Sequence, residues 1–113
     1  MTINEYQKLA LRTESNVADD DVLLRILQGL MGLSGESGEC LDLLKKHIFQ
    51  GHDLDREHLA KELGDVAWYL AVSANAIGYD LETIFQMNVD KLKARYPEGF
   101  DSEQSIHRLD TDI

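Results

Sequence analysis

Residues 29–46 read GLMGLSGESGECLDLLKK. Gly29, Gly32, Gly35 and Gly38 recur every third residue, ahead of an apolar run that ends in two lysines. A glycine inside a helix costs roughly 1 kcal/mol relative to alanine. The series therefore either splits the segment into two shorter helices meeting near Gly32 and Gly35, or serves a close approach that a Cβ would block. The apolar period continues on both sides, from residue 22 to about residue 49, and predicts a long helical region. Asp20 or Asp21 is placed to cap its start, after a polar loop over residues 16–21, and Gly51 to close it.

Outward from this region the same period recurs. Ile3, Tyr6, Leu9 and Ala10 predict a short opening helix. Asp55 suits the cap of a third helix over residues 56–77, with Leu59, Leu63, Val66, Leu70, Ala74 and Ile77 on one face. Gly78 stops it. A fourth helix, residues 81–96, ends before the lone proline, Pro97. No segment alternates like a strand. The expected fold is all-α: an antiparallel bundle of four to five helices joined by short loops. Residues 1–100 form one domain on this reading, and residues 101–113 a C-terminal arm or flexible tail.

A chain of 113 residues with 43% hydrophobic and 28% charged residues suits one modest soluble core. The formal charge of −10, from 11 basic and 21 acidic residues, argues against nucleic-acid binding. An acidic balance is most often that of a soluble protein, and it can also concentrate carboxylates for hard divalent cations; charge alone does not decide between them. No run approaches the roughly 20 apolar residues of a membrane span, and no signal-peptide pattern opens the chain. The single cysteine, Cys40, fits a reducing, cytoplasmic setting.

Two acidic pairs carry the chemistry. Glu36 and Glu39 share one helix face at i, i+3, and Glu62 and Asp65 repeat that spacing on the next helix. In each pair the first acid falls at the edge of its helix's apolar arc and the second further round. Antiparallel packing would let the four carboxylates converge. They would raise one another's pKa values unless a divalent cation neutralised them, and oxygen-only ligands favour Mg²⁺ or Mn²⁺ over zinc. A di-iron centre is disfavoured, because no glutamate has a histidine three residues on.

The fourth helix adds donors. Asn88 and Arg95 fall on the stripe defined by Leu81, Ile84, Phe85 and Leu92, with Lys91 at its flank. Three donors at i, i+3 and i+7 suit an anion, and beside metal-binding acids a phosphate chain is the ligand expected; taken separately, Asn88 is as well explained by a bond to a neighbouring helix, and Lys91 and Arg95 by reaching solvent at the helix C-terminus. Trp68 and Tyr69, one turn beyond Asp65, offer rings for a nucleobase or for the core. His47, His52, His58 and His107 form no ligand pattern.

GLSGESGECLDLLKK, KELGDVAWYLAVSANAIG and NVDKLKARYPEGF together resemble the MazG-like branch of the all-α nucleoside triphosphate pyrophosphohydrolases. The resemblance implies an Mg²⁺-dependent (or Mn²⁺-dependent) enzyme that splits nucleoside triphosphates between the α- and β-phosphates, giving monophosphate and pyrophosphate. It implies that Glu36, Glu39, Glu62 and Asp65 hold the metal, with Glu36 or Glu39 as general base. It places Lys46, Asn88, Lys91, Arg95 and Tyr96 on phosphate or sugar. It also implies a homo-oligomer, a dimer or a dimer-of-dimers tetramer, that completes the bundle. The alternatives are a phosphoribosyl-ATP pyrophosphohydrolase and a non-catalytic helical oligomer that binds nucleotide or metal.

Overall fold

The structure, a computed structural model, describes residues 1–15 and 20–107. Five helices follow one another: α1 (Ile3–Leu11), α2 (Val22–Gln50), α3 (Arg56–Ala76), α4 (Leu81–Arg95) and α5 (Ser102–Ile106). No strand forms among the described residues, so the all-α expectation holds. Most of the loop expected at residues 16–21, and the end of the tail at 108–113, lie outside the described residues. The chain divides into two compact units, Met1–Leu81 and Glu82–Ile113.

Local chemistry sets the helix ends. Asp21 and Asp55 each accept a hydrogen bond from the backbone N–H three residues on, capping α2 and α3. Gly51 takes φ 75° at the end of α2, in the left-handed region open to glycine. Between these caps α2 runs unbroken for 29 residues through all four glycines, so the two-helix alternative fails.

The first two glycines explain themselves by packing. α3 runs antiparallel to α2, with Ser73 against Gly29 and the Tyr69 ring against Gly32. A Cβ at Gly32 would fall inside that ring. Gly32→Val is therefore expected to cost about 1–3 kcal/mol by overpacking, against a few tenths regained in helix propensity. Thermal melting checks this, and an unchanged Tm would mean that Tyr69 swings aside freely. Gly35 and Gly38 have open space where a Cβ would stand, so no contact among the described residues requires them.

The buried core differs from the expected α3 stripe. Ala71, Val72, Ser73, Ala74 and Ala76 are buried, whereas Leu63 and Ile77 are more than half exposed. The reason is that α3's C-terminal half has helices on two sides. α1 docks there through the Trp68 indole N–H, which donates to the Ala10 carbonyl (3.0 Å) and the Thr13 hydroxyl (2.9 Å). Small side chains suit a helix gripped on both sides.

Gln7, at the middle of α1, holds the helix a second time. It is buried, at 6% exposure. Its amide donates to the carbonyls of Ala71 (3.1 Å) and Tyr79 (3.3 Å). Its carbonyl accepts from the Leu81 N–H (2.9 Å), the first residue of α4. A side chain of α1 thus caps the start of α4.

In the second unit the stripe expected to be buried on α4 is largely open. Phe85, Asn88 and Leu92 are exposed, which removes burial as the ground for reading Asn88 as a ligand group. Tyr96 packs at 5.3 Å, centroid to centroid, against Phe100. Part of the expected arm is helical, as α5, capped by Asp101.

Candidate functional site

The antiparallel pairing of α2 and α3 brings Glu36 opposite Glu62 and Asp65. One carboxylate oxygen of each lies within 4.8 Å of the others. Glu36 and Glu62 are half-buried, while Glu39 and Asp65 are exposed. This matches the sequence reading of one acid at the core's edge and one further out in each pair. One oxygen of Glu36 and one of Glu62, Oε2 in each, is shielded from solvent and has no hydrogen-bond partner. Buried unsatisfied carboxylate oxygens are costly, and four acids side by side add repulsion. Glu39 is not in the convergent trio. It borders it, close enough to help hold up the ionisation of Glu36.

The electrostatics report the same congestion. Burial pushes the Glu36 carboxyl up, and the charges of Glu39, Asp65 and Glu62 push it further, with a hydrogen bond to Glu39 also favouring the protonated form. Burial likewise raises the Cys40 thiol, reinforced by Glu62 and Glu36, which keeps it protonated and unsuited to nucleophilic attack. The Tyr6 phenol is raised by burial and then by Asp65, which places α1 within reach of the site's field. His58 borders the cluster, with Nε2 3.3 Å from a Glu62 oxygen. Neither Tyr6 nor His58 was predicted near the site. The i, i+4 spacing of His58 and Glu62 was the available signal for the second.

A group that is harder to ionise in the folded state gives a defined pH dependence. Glu36 binds its proton more tightly folded than unfolded, so its contribution to stability is fully present below its ordinary value of 4.5 and lost as pH rises through the folded value. In metal-free protein, the Tm of Glu36→Gln is expected to gain on wild type as pH rises from about 4 to about 8. Melting curves at constant ionic strength check it, and a gap that closes with rising pH would contradict it.

Other residues named from sequence fall as follows. Lys46, with Lys45, pairs with Asp42 at 3.0 and 2.9 Å, and the two lysines hold the Asp42 carboxyl below its usual range. Lys46 also borders a cavity of about 280 Å³ at the α2–α3 turn, shared with Leu43, His52, Asp53 and His58. Trp68 is engaged with α1 through its N–H and with Tyr69 edge-on at 4.9 Å. That gives the indole a structural task. Asn88, Lys91, Arg95 and Tyr96 lie on or just after α4, in the second unit.

The arrangement fits a divalent cation. Three convergent carboxylates, two with shielded and unpartnered oxygens, supply the hard anionic donors that such an ion needs.

Residues 21–100 match the family described as the MazG nucleotide pyrophosphohydrolase domain. The chain is 34% identical over 105 residues to the "Gene 37 protein" of Mycobacterium phage L5, covering 88% of this chain and 92% of the phage protein. No solved structure matches it significantly. The matched stretch holds both α2 and α3 and, with them, all four acids, and on that ground the chain belongs to the MazG nucleotide pyrophosphohydrolase family.

Proposed function

We propose that this protein is a Mg²⁺-dependent nucleoside triphosphate pyrophosphohydrolase, releasing monophosphate and pyrophosphate. The observation that carries the reading is the Glu36–Glu62–Asp65 convergence with its two unpartnered buried oxygens. These three residues hold the metal, with Mn²⁺ as a substitute. When bound, the metal neutralises phosphate charge and acidifies a coordinated water. Glu39, beside the trio and exposed, takes the proton of the attacking water as general base. Lys46 binds phosphate after exchanging its Asp42 partner for it. Asn88, Lys91, Arg95 and Tyr96 enter the phosphate and sugar contacts on the strength of the family resemblance.

The protein works as a homo-oligomer in a reducing, cytoplasmic setting. Extensive exposed apolar surface on α2 supports the first part. No helix among the described residues is long and apolar enough to cross a membrane.

The test is incubation with Mg²⁺ and a panel of ribo- and deoxyribonucleoside triphosphates, with products resolved by ion exchange. Monophosphate with pyrophosphate, lost in Glu39→Ala, is expected. Diphosphate with orthophosphate would place cleavage at the wrong bond. No turnover of any triphosphate, with phosphoribosyl-ATP hydrolysed instead, would replace the substrate class.

A further inference from the structure

We propose that His58 is a positioning residue for the cation: its Nε2–H donates to Glu62 Oε1, fixes the carboxylate, and leaves Oε2 to the ion. The inference rests on the metal-binding part of the reading above and adds a residue outside the acid set.

Helix geometry places the pair. His58 and Glu62 are four residues apart on α3, so their side chains share a face. His58 stands in the first turn, where its backbone N–H donates to Asp55 Oδ1 at 3.0 Å. That cap fixes the backbone from which the imidazole projects. Nε2 then lies 3.3 Å from Glu62 Oε1. An ionised carboxylate only accepts, so the nitrogen facing it carries a proton. The neutral ring with its hydrogen on Nε2 and the imidazolium both supply that donor, and the role does not depend on charge.

The two oxygens of Glu62 therefore have different tasks. Oε1 faces the ring, while Oε2 is shielded from solvent and has no hydrogen-bond partner. The terminal torsion of a glutamate is broad and roughly two-fold, so an unrestrained carboxylate has no fixed plane. A donor on one oxygen sets that plane before an ion arrives. Carboxylates that ligate metals are commonly hydrogen-bonded in this way, and losing the outer partner weakens the metal.

The lysines around the pair have other partners. Lys45 and Lys46 both pair with Asp42, and Lys61 lies 3.8 Å from Glu57. The Glu62 side chain is 18% exposed and that of His58 is 51% exposed. The contact is thus shielded on the carboxylate side, while the ring can be exchanged without opening the core. His58 also lines the cavity at the α2–α3 turn with Lys46 and His52. The rival role is direct contact with substrate in that cavity, and metal binding without nucleotide separates the two.

The test is titration of Mn²⁺ into wild type, His58→Leu and His58→Gln without nucleotide, with free Mn²⁺ read by electron paramagnetic resonance. Circular dichroism checks that each protein is folded. The glutamine amide nitrogen reaches about as far from the backbone as Nε2 and restores the donor, whereas leucine supplies none. His58→Leu is expected to weaken Mn²⁺ binding about 10–100-fold, and His58→Gln to stay within a few-fold of wild type. Wild-type affinity in His58→Leu would overturn the proposal, and a rise in KM alone would then assign His58 to substrate. Equal losses in the two variants would also overturn it, since the donor would not be what matters. A wild type that binds no Mn²⁺ would overturn both the proposal and the metal-dependent reading. The expected pattern in a protein that hydrolyses no triphosphate would uphold His58 and overturn the activity alone.

Discussion

Glu62→Gln is expected to lower Mg²⁺-dependent triphosphate turnover by at least about 10²-fold, since altering even the partners that orient a metal ligand costs about 10–100-fold. The same change is expected to raise the Tm of metal-free protein. Both effects have one cause. Glu62 brings a carboxylate oxygen within 4.8 Å of oxygens of Glu36 and Asp65, and its Oε2 is shielded without a hydrogen-bond partner. With the metal this is a ligand set, and without it a concentration of like charge. The neutral amide removes repulsion and cannot replace the anionic donor. A ligand at 100 times its dissociation constant stabilises by about 2.7 kcal/mol. The Mg²⁺-induced rise in Tm of that order, expected in wild type, should vanish in the variant. Calorimetry with and without Mg²⁺, beside the turnover assay, reads all three. Full turnover in Glu62→Gln would remove it from the metal site.

Gln7→Leu is expected to give the largest loss of stability, about 2–4 kcal/mol, because one side chain satisfies three backbone groups from a nearly buried position. The leucine fills the volume and bonds none of them. The Leu81 N–H has the most to lose: it is a helix-initial donor, and Gln7 Oε1 accepts from it at 2.9 Å. For a chain of this size the drop in Tm should be roughly 10–20 °C, measured by thermal melting of metal-free protein. A fall of only a degree or two would mean that water replaces the amide.

Much of this was legible in the sequence because it depends on local pattern. Asp21, Asp55 and Gly51 mark helix ends through side-chain capping and positive φ, which act within a few residues. The acidic pairs were readable for the same reason: i, i+3 spacing fixes a shared face whatever the helix packs against. The failures are equally physical. Leu63, Ile77, Phe85 and Asn88 fit buried stripes by periodicity, yet all are exposed in the single chain. Period reports which face is apolar and carries no information on whether the same chain supplies its cover.

By itself the sequence determined four things: the all-α class, the caps, the ordered acids on successive helices, and the acidic balance. The tertiary structure alone decided which acids meet, because the antiparallel register of α2 on α3 selects Glu36, Glu62 and Asp65 and leaves Glu39 at the edge. It decided that α2 passes unbroken through its glycines, since the cost of Gly29 and Gly32 is offset only where Ser73 and Tyr69 come close. It also turned Trp68 toward α1 and made Gln7 the cap of a helix more than seventy residues away in the chain. A donor and its acceptor at that separation leave no periodic trace, so only the folded chain could pair them.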